Sequence, residues 1–413
     1  MRVLLAGFSS ELLGALGGVL QPRSVVLLEE REVFERRRVA EQLRSIDLVG
    51  RIVHARYIQS REYRAAAEAE HAQAAFDAVV AAIEYAVPAA ADLAERFGLP
   101  GAGAGAGAVY RDKVLLRASA ERAGIHGPRW REACSVADCA SFATEHGDMV
   151  LKPADRGGSL GVQLLGPGAD LGAAWELAHD DERDLMLCRR PLARRFLVEE
   201  RLRGPEYSVE CLVRDGAVVF ASVTAKHLWD GPYPVERGHD VPADLPEAET
   251  RALVDSMSRL ARATSFGTGI LHGEWIRTES GPALVECAAR LPGDHITLLV
   301  NRAYDVNVAA LLLRLLAGRD VELPAAPRRG AAIRFIGSDR PGRLAGVEGV
   351  EAARAIPGVE RVFVKGPPGR PVHEVRFSLD RLGYAIAVAP TPAEAGALAE
   401  RAIAEIRLVV EGG

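Results

Sequence analysis

Over the first hundred residues, short apolar runs alternate with stretches of helical character, and few folds accommodate that order. Residues 3–6 read as a short buried strand, followed by Gly7 and a helix-like stretch to about Leu20. Val25–Leu28 reads as a second strand ending in Glu29 and Glu30, and Val79–Ile83 as another. Val87–Phe97 has helical periodicity, with Gly98 as its stop. This alternation predicts an open parallel α/β domain over residues 1–108. A glycine after the first strand is no nucleotide signature by itself, because G-x-G-x-x-G is absent. Residues 101–108 strictly alternate Gly and Ala. They read as a linker or softened loop, because they lack the strand–loop–helix frame and the Lys-Ser/Thr of a phosphate-binding P-loop.

Beyond that segment the pattern changes. Tyr110-Arg111-Asp112-Lys113 opens an amphipathic helix to about Ala123. Met149–Pro153 reads as a strand running into the glycine-rich Gly157–Val162, and Phe196–Glu200 as a strand with an acidic end. Tyr207–Val213 and Ala217–Thr224 flank Asp215-Gly216, a two-residue hairpin signal. Gly269–Arg277 and Pro282–Cys287 form a second pair of this kind. A helix is expected over about 294–317, strands at Gly330–Ile336 and Glu374–Ser378, and a closing helix near 391–407.

Composition narrows the function classes. A formal charge of −5 without a long basic face argues against nucleic-acid binding. Five cysteines without a C-x-x-C pair argue against a disulfide framework or structural zinc, and fit cytoplasmic free thiols. No run of 18 apolar residues is present, so no membrane association is expected. Of 51 basic residues only Lys113, Lys152, Lys226 and Lys365 are lysines. An ammonium is a compact point charge where guanidinium is a planar fork, so a lysine kept in an arginine-rich chain marks a candidate phosphate contact. Lys113 and Lys152 have the more suggestive settings, at a helix start and a strand end. Lys226, after the strand ending at Ala225, could also reach a cleft; Lys365 reads as a turn charge.

Four elements then follow in an order that suits ATP. Lys113 and Lys152 come first, and the loop around Gly158, Ser159 and Gly161 can present backbone N–H groups to phosphates. Glu199 to Leu202, with Glu206 beyond, can offer backbone groups to an adenine edge and a carboxylate to ribose. Glu274 and Glu286 sit on neighbouring strands as hard oxygen donors for Mg²⁺, or Mn²⁺ in its place. Arg290, four residues beyond Glu286, can balance charge on a moving phosphoryl group.

These segments, namely Arg111–Lys113, Leu151–Pro153 with Gly158–Val162, Val198–Glu200 with Gly204–Glu210, and Gly273-Glu274 with Val285–Arg290, resemble the ATP-grasp superfamily of carboxylate–amine ligases along nearly the whole chain. The stretch Gly231–His239 and the later Asp380–Tyr384 are similar to L-amino acid ligases, which make dipeptides. The resemblance implies an α/β protein of ATP-grasp fold. It would have an N-terminal open parallel domain (1–108), a small lid (109–198), and a C-terminal α+β catalytic domain (199–413) with an end module at 328–413. It implies two steps: a small carboxylate becomes an acyl phosphate at the expense of ATP, and an amine then displaces phosphate. It also implies that Glu236 helps hold metal and that His239 borders the reacting carboxylate, as a catalytic residue beside Arg290. Asp294 is a candidate contact for the amine substrate by position and charge. Similar ligases are commonly homodimers. One residue departs from the family pattern: Ala288 stands where an Asn often supports the second Mg²⁺. A bicarbonate-using or carbamoyl-phosphate-type enzyme, and a silent ATP-binding protein, are the competing expectations.

Overall fold

The computed structural model describes all residues of the chain other than 181, 183, 339, 367 and 413. The N-terminal alternation folds as a four-stranded parallel sheet of β1 (Val3–Ala6), β2 (Val25–Glu29), β3 (Val49–His54) and β4 (Ala78–Ala81), in the order β3-β2-β1-β4. β1 and β2 are buried along their whole length, which explains their unbroken apolar runs. β3 is half-exposed at the sheet edge and carries no such run, so the sequence pattern does not reveal it. The first helix, Ser10–Leu16, is shorter than expected. It turns out of helical geometry at Gly17.

The Gly-Ala repeat is not a linker. Ala104–Val109 is helical and packs on the Val87–Arg96 helix. Gly107 lies so close that an added Cβ would meet the Ala91 Cβ at 2.6 Å. Small side chains here serve close helix approach rather than flexibility.

A four-stranded antiparallel sheet follows, built from β5 (Trp130–Ala133), β6 (Met149–Pro153), β7 (Gln163–Leu165) and β8 (Phe196–Glu200), ordered β5-β8-β6-β7. Phe142, Leu151, Phe196 and Val198 give it a core of its own. The largest sheet has eight antiparallel strands. These are β9 (Glu206–Arg214), β10 (Ala217–Leu228), β11 (Glu236–Val241), β12 (Gly269–Thr278), β13 (Gly281–Ala288), β14 (Gly330–Ile336), β16 (Val359–Val364) and β18 (Gly383–Ala389), in the order β13-β12-β9-β10-β11-β14-β18-β16. β15 (Gly342–Glu348), β17 (Pro371–Val372) and β19 (Arg407–Glu411) form a small third antiparallel sheet. Asp215 and Gly216 both have positive φ, as the β9–β10 turn requires.

Two further expectations change. The helix over 294–317 is two helices, Ile296–Tyr304 and Val308–Leu316, bent by 97°. Asp305 takes a left-handed conformation, and the Asn307 side chain caps the second helix by accepting from the Ala310 N–H. Glu374–Ser378 is not a strand. The Arg376 and Phe377 N–H groups donate to the Asp380 carboxylate instead of to a sheet neighbour. Leu299, Leu312 and Leu313 of the bent pair share one core with Leu13 and Leu27 of the N-terminal domain and Ile333 of the large sheet. Among the described residues no single helix is long and apolar enough to cross a membrane.

The repeat can be tested at two positions. Gly105 has open space around its Cβ direction, so Gly105→Ala should stabilise the protein by up to about 1 kcal/mol. Gly107→Val should destabilise it by about 1–3 kcal/mol through overpacking against Ala91. Denaturant midpoints would measure both, and equal effects at the two positions would contradict the packed seam.

Candidate active site

Lysine 113 opens the helix Lys113–Arg122, whose N-terminus is fixed by the Asp112 carboxylate accepting from the Val114 and Leu115 N–H groups. Its Nζ lies 3.1 Å from Glu286 Oε2 and donates to the Arg156 carbonyl at 2.5 Å. One turn along the same helix, Arg117 spreads its guanidinium over Glu199 and the carbonyls of Leu284 and Val285. Lys152 Nζ, from β6, sits 2.6 Å from Glu199 Oε2. Glu199 is thus a buried carboxylate shared by two cations. Burial pushes its carboxyl up, but Arg117 and Lys152 outweigh that and hold it below the usual range. Burial lowers Lys152, against the pull of Glu199. Of the carboxylates at this strand end, Glu199 has both oxygens engaged by these cations. Glu206 keeps a partly exposed side chain at the start of β9, and Leu202 lies in the connecting loop, half-buried.

The acidic side of the cleft is built from β9 to β13. Glu274 on β12 and Glu286 on β13 are cross-strand partners. Lys226 on β10 brings Nζ to 2.9 Å from Glu274, 3.4 Å from Glu236 and 3.7 Å from Glu206. Burial disfavours its charge, but the three carboxylates hold its pKa well above that of an ordinary lysine. Burial, with Glu274 and Glu236 nearby, pushes Glu206 up to about 7 against the pull of Lys226. Glu274 goes the other way: burial raises it, but Lys226 and His272 hold it well below the usual range. His272 spans Glu210 (3.0 Å) and Glu274 (3.3 Å). Burial lowers its pKa, yet these carboxylates bring it up to about 9. Glu210 also accepts from Ser208 and Thr224, so both oxygens of this buried group have partners.

Arg290 donates to Glu84 Oε2 at 2.8 Å, so the N-terminal domain orients it. His239 is buried, with Nε2 3.3 Å from Asp294 Oδ2 and Nδ1 without a hydrogen-bond partner. Asp294 is held by both arms of Arg381. Burial raises its carboxyl, but Arg381 and His239 keep it well below the usual range. An amine substrate at Asp294 would therefore meet a carboxylate already paired with a guanidinium. Gly158, Ser159 and Gly161 lie in the loop between β6 and β7, all with positive φ. That loop reaches the cleft, where Ser159 Oγ donates to the Pro234 carbonyl at 2.9 Å. Trp275 and Cys287 pack in the core.

The donor set fits a hard divalent cation in part. Glu274, Glu286 and Glu236 are carboxylates that each lie against a lysine ammonium, so the cleft already collects positive charge. Ala288 is buried opposite His272 and has no side-chain oxygen to offer. Among the described residues no cluster of three metal-donor side chains is preformed, so ligand oxygens must complete a coordination shell.

Reading the sequence missed Arg117, Glu84 and Arg381. Arg117 lies four residues beyond Lys113, on the same helix face. Glu84 follows the last parallel strand, at the carboxyl end where α/β sheets place sites. Arg381 lies within the quoted Asp380–Tyr384, but nothing local shows what it touches.

Residues 146–298 match the ATP-grasp domain, and residues 334–411 match the L-amino acid ligase C-terminal domain 2. The uncharacterized protein y4rH of Sinorhizobium fredii is 31% identical over 299 residues, 71% of this chain and 60% of that protein. The alanine–anticapsin ligase of Bacillus subtilis is 26% identical over 267 residues, 60% of this chain and 56% of the relative. The chain thus spans a little over half the length of these relatives. An L-amino acid ligase from Bacillus licheniformis shares the fold with a TM-score of 0.80, at 19% identity, over 100% of this chain and 99% of that one.

Two outcomes follow from the buried charges. Arg117→Met leaves Glu199 with a single cation and should cost about 3–5 kcal/mol in chemical denaturation. Glu206 titrates near 7 in the folded state against 4.5 as the ordinary value. A raised carboxyl pKa means that stability is full below about 4.5 and falls as pH rises through 7. Glu206→Gln should therefore gain in melting temperature over the unsubstituted, ligand-free protein as pH goes from 5 to 8. A constant difference across that range would contradict the assignment.

Proposed function

Because residues 146–298 match the ATP-grasp domain and residues 334–411 match the L-amino acid ligase C-terminal domain 2, we propose that the chain is an ATP-dependent carboxylate–amine ligase of the ATP-grasp superfamily. It converts a small carboxylic acid or amino acid to an acyl phosphate and couples it to an amine, releasing ADP and phosphate. The observation that carries this reading is the pairing of Lys113 with Glu286 and of Lys226 with Glu274 on adjacent strands, with Arg290 close behind. Cations and carboxylates alternate over one cleft, as phosphoryl transfer between oxyanions requires.

In this reading Lys113 and Lys152 neutralise phosphate oxygens, which compete with Glu286 and Glu199 for the ammonium groups. Glu206 faces the ribose, and the backbone near Leu202 faces the adenine edge. Glu274 and Glu286, with Glu236, would hold Mg²⁺, which supplies Lewis-acid stabilisation of phosphate charge when bound. Lys226 and Arg290 balance charge on the transferring group, and Arg290 is aimed by Glu84. The Gly158–Gly161 loop closes over the acyl phosphate and excludes water. His239 borders the reacting carboxylate with its Asp294-bound imidazole. No protein nucleophile is needed, which agrees with Cys287 being buried and its thiol pushed well up by burial.

Phosphate release that requires a carboxylic acid, an amine and Mg-ATP together would establish the reaction. Release driven by bicarbonate alone would favour a carboxylase, and tight Mg-ATP binding without turnover would favour a silent binder. Glu286→Gln should lower turnover at least about 10²-fold through loss of a metal anchor. Near-normal turnover of that variant would contradict its assignment.

A further inference from the structure

Residues 376–381 bring the C-terminal module to the cleft beside β14, which pairs with β11. Its turn is tied by the Asp380 carboxylate, which accepts from the N–H groups of Arg376 (3.0 Å) and Phe377 (3.3 Å). That folding aims Arg381 inward. The guanidinium is buried, lies 3.8 Å over the Phe335 ring, and is held from its own side by Nε donating to the Ser378 carbonyl at 2.9 Å. Its remaining nitrogens reach two segments that are remote in sequence. Both Nη atoms grip Asp294, four residues past Arg290, and Nη1 donates to the Glu236 carbonyl at 3.3 Å. Asp294 in turn contacts His239, and Glu236 contacts Lys226. Ser378 adds two links. Its hydroxyl donates to Glu236 Oε2 and its N–H to the carbonyl of Gly158 in the glycine-rich loop, each at 3.4 Å.

We propose that Arg381 is a positioning residue for the ligation step, and that the Ser378–Arg381 turn is the latch through which the C-terminal module holds Glu236, Asp294 and the glycine-rich loop in register. The physical case rests on the fork. A planar guanidinium with five donors fixes two carboxylate oxygens and a carbonyl at once, which no other side chain does. Its position is over-determined by the Phe335 face and the Ser378 carbonyl, so it transmits placement instead of adapting to it. Removing it leaves the half-buried Asp294 without its guanidinium and takes one hydrogen bond from Glu236 at the start of β11. The glycine-rich loop then loses its support on the C-terminal side and admits water to the acyl phosphate.

This inference rests on the ligase reading, and its test separates the two. If the unsubstituted protein shows no amine-dependent phosphate release, the ligase reading fails. If it does, three variants decide the latch. Arg381→Gln should lower kcat about 10²-fold, as a small misplacement in a positioned site does, with ADP affinity unchanged within about threefold. It should also raise the ratio of phosphate released to amide formed. Arg381→Lys should recover part of kcat, because an ammonium engages one oxygen of Asp294 where the fork engages two. Ser378→Pro removes the N–H donor at the first position of a turn, after a Phe377 that is already extended, where proline fits. It should speed hydrogen–deuterium exchange of residues 157–162 in the Mg-ADP complex, a readout independent of turnover. Unchanged coupling and exchange would overturn the proposal. So would loss of ADP binding in step with kcat, which would make Arg381 a support of the fold alone.

Discussion

The ammonium of Lys226 stands where three carboxylates converge, and the cleft is organised around keeping that cluster balanced. Glu206, Glu236 and Glu274 come from three different strands and would repel one another across a buried space without it. The balance is uneven. Glu274 has a second cation in His272 and stays ionised, whereas Glu206 shares only the far side of Lys226 and is pushed up to about 7. A site held this way is pre-charged. A divalent cation and phosphate oxygens arriving together exchange partners with lysines and carboxylates already in place, with little change in net local charge.

The same logic extends outward in pairs. Glu286 takes Lys113, Glu199 takes Lys152 and Arg117, Glu84 takes Arg290, and Asp294 takes Arg381. Most of these pairs join separate parts of the chain: Lys113 ties its helix to the large sheet, Arg117 ties the same helix to the small four-stranded sheet, Glu84 ties the N-terminal domain to the segment after β13, and Arg381 ties that segment to the C-terminal module, while Lys152 and Glu199 pair within the small sheet. The ion pairs therefore fix how the parts meet at the cleft. The apolar cores hold each part together, and in the shared core under the bent helix pair they also join the first domain to the large sheet. Buried pairs contribute little net stability, but breaking one leaves an uncompensated charge, so they specify geometry strongly.

Apolar periodicity located three of the four parallel strands, both hairpins and the closing helix, because each is a local pattern. It failed where local signal and tertiary role diverge. The Gly-Ala repeat has the composition of a linker and the packing of a helix seam. Residues 294–317 carry one continuous apolar pattern, yet Asp305 and Asn307 divide them. β3 lies at an edge and needs no apolar run.

By itself the sequence determined the order of the motifs, the retention of lysine at 113, 152 and 226, and the carboxylates at 206, 236, 274 and 286. These choices are chemical, and a residue type announces them. Only the tertiary structure decided who faces whom. Arg290 meets Glu84 across 206 positions of chain, Arg381 meets Asp294 across 87, and Lys226 gathers acids from three strands. Such pairings follow from strand order and domain packing, which local periodicity does not encode. The same carboxylates in another topology would be isolated surface charges.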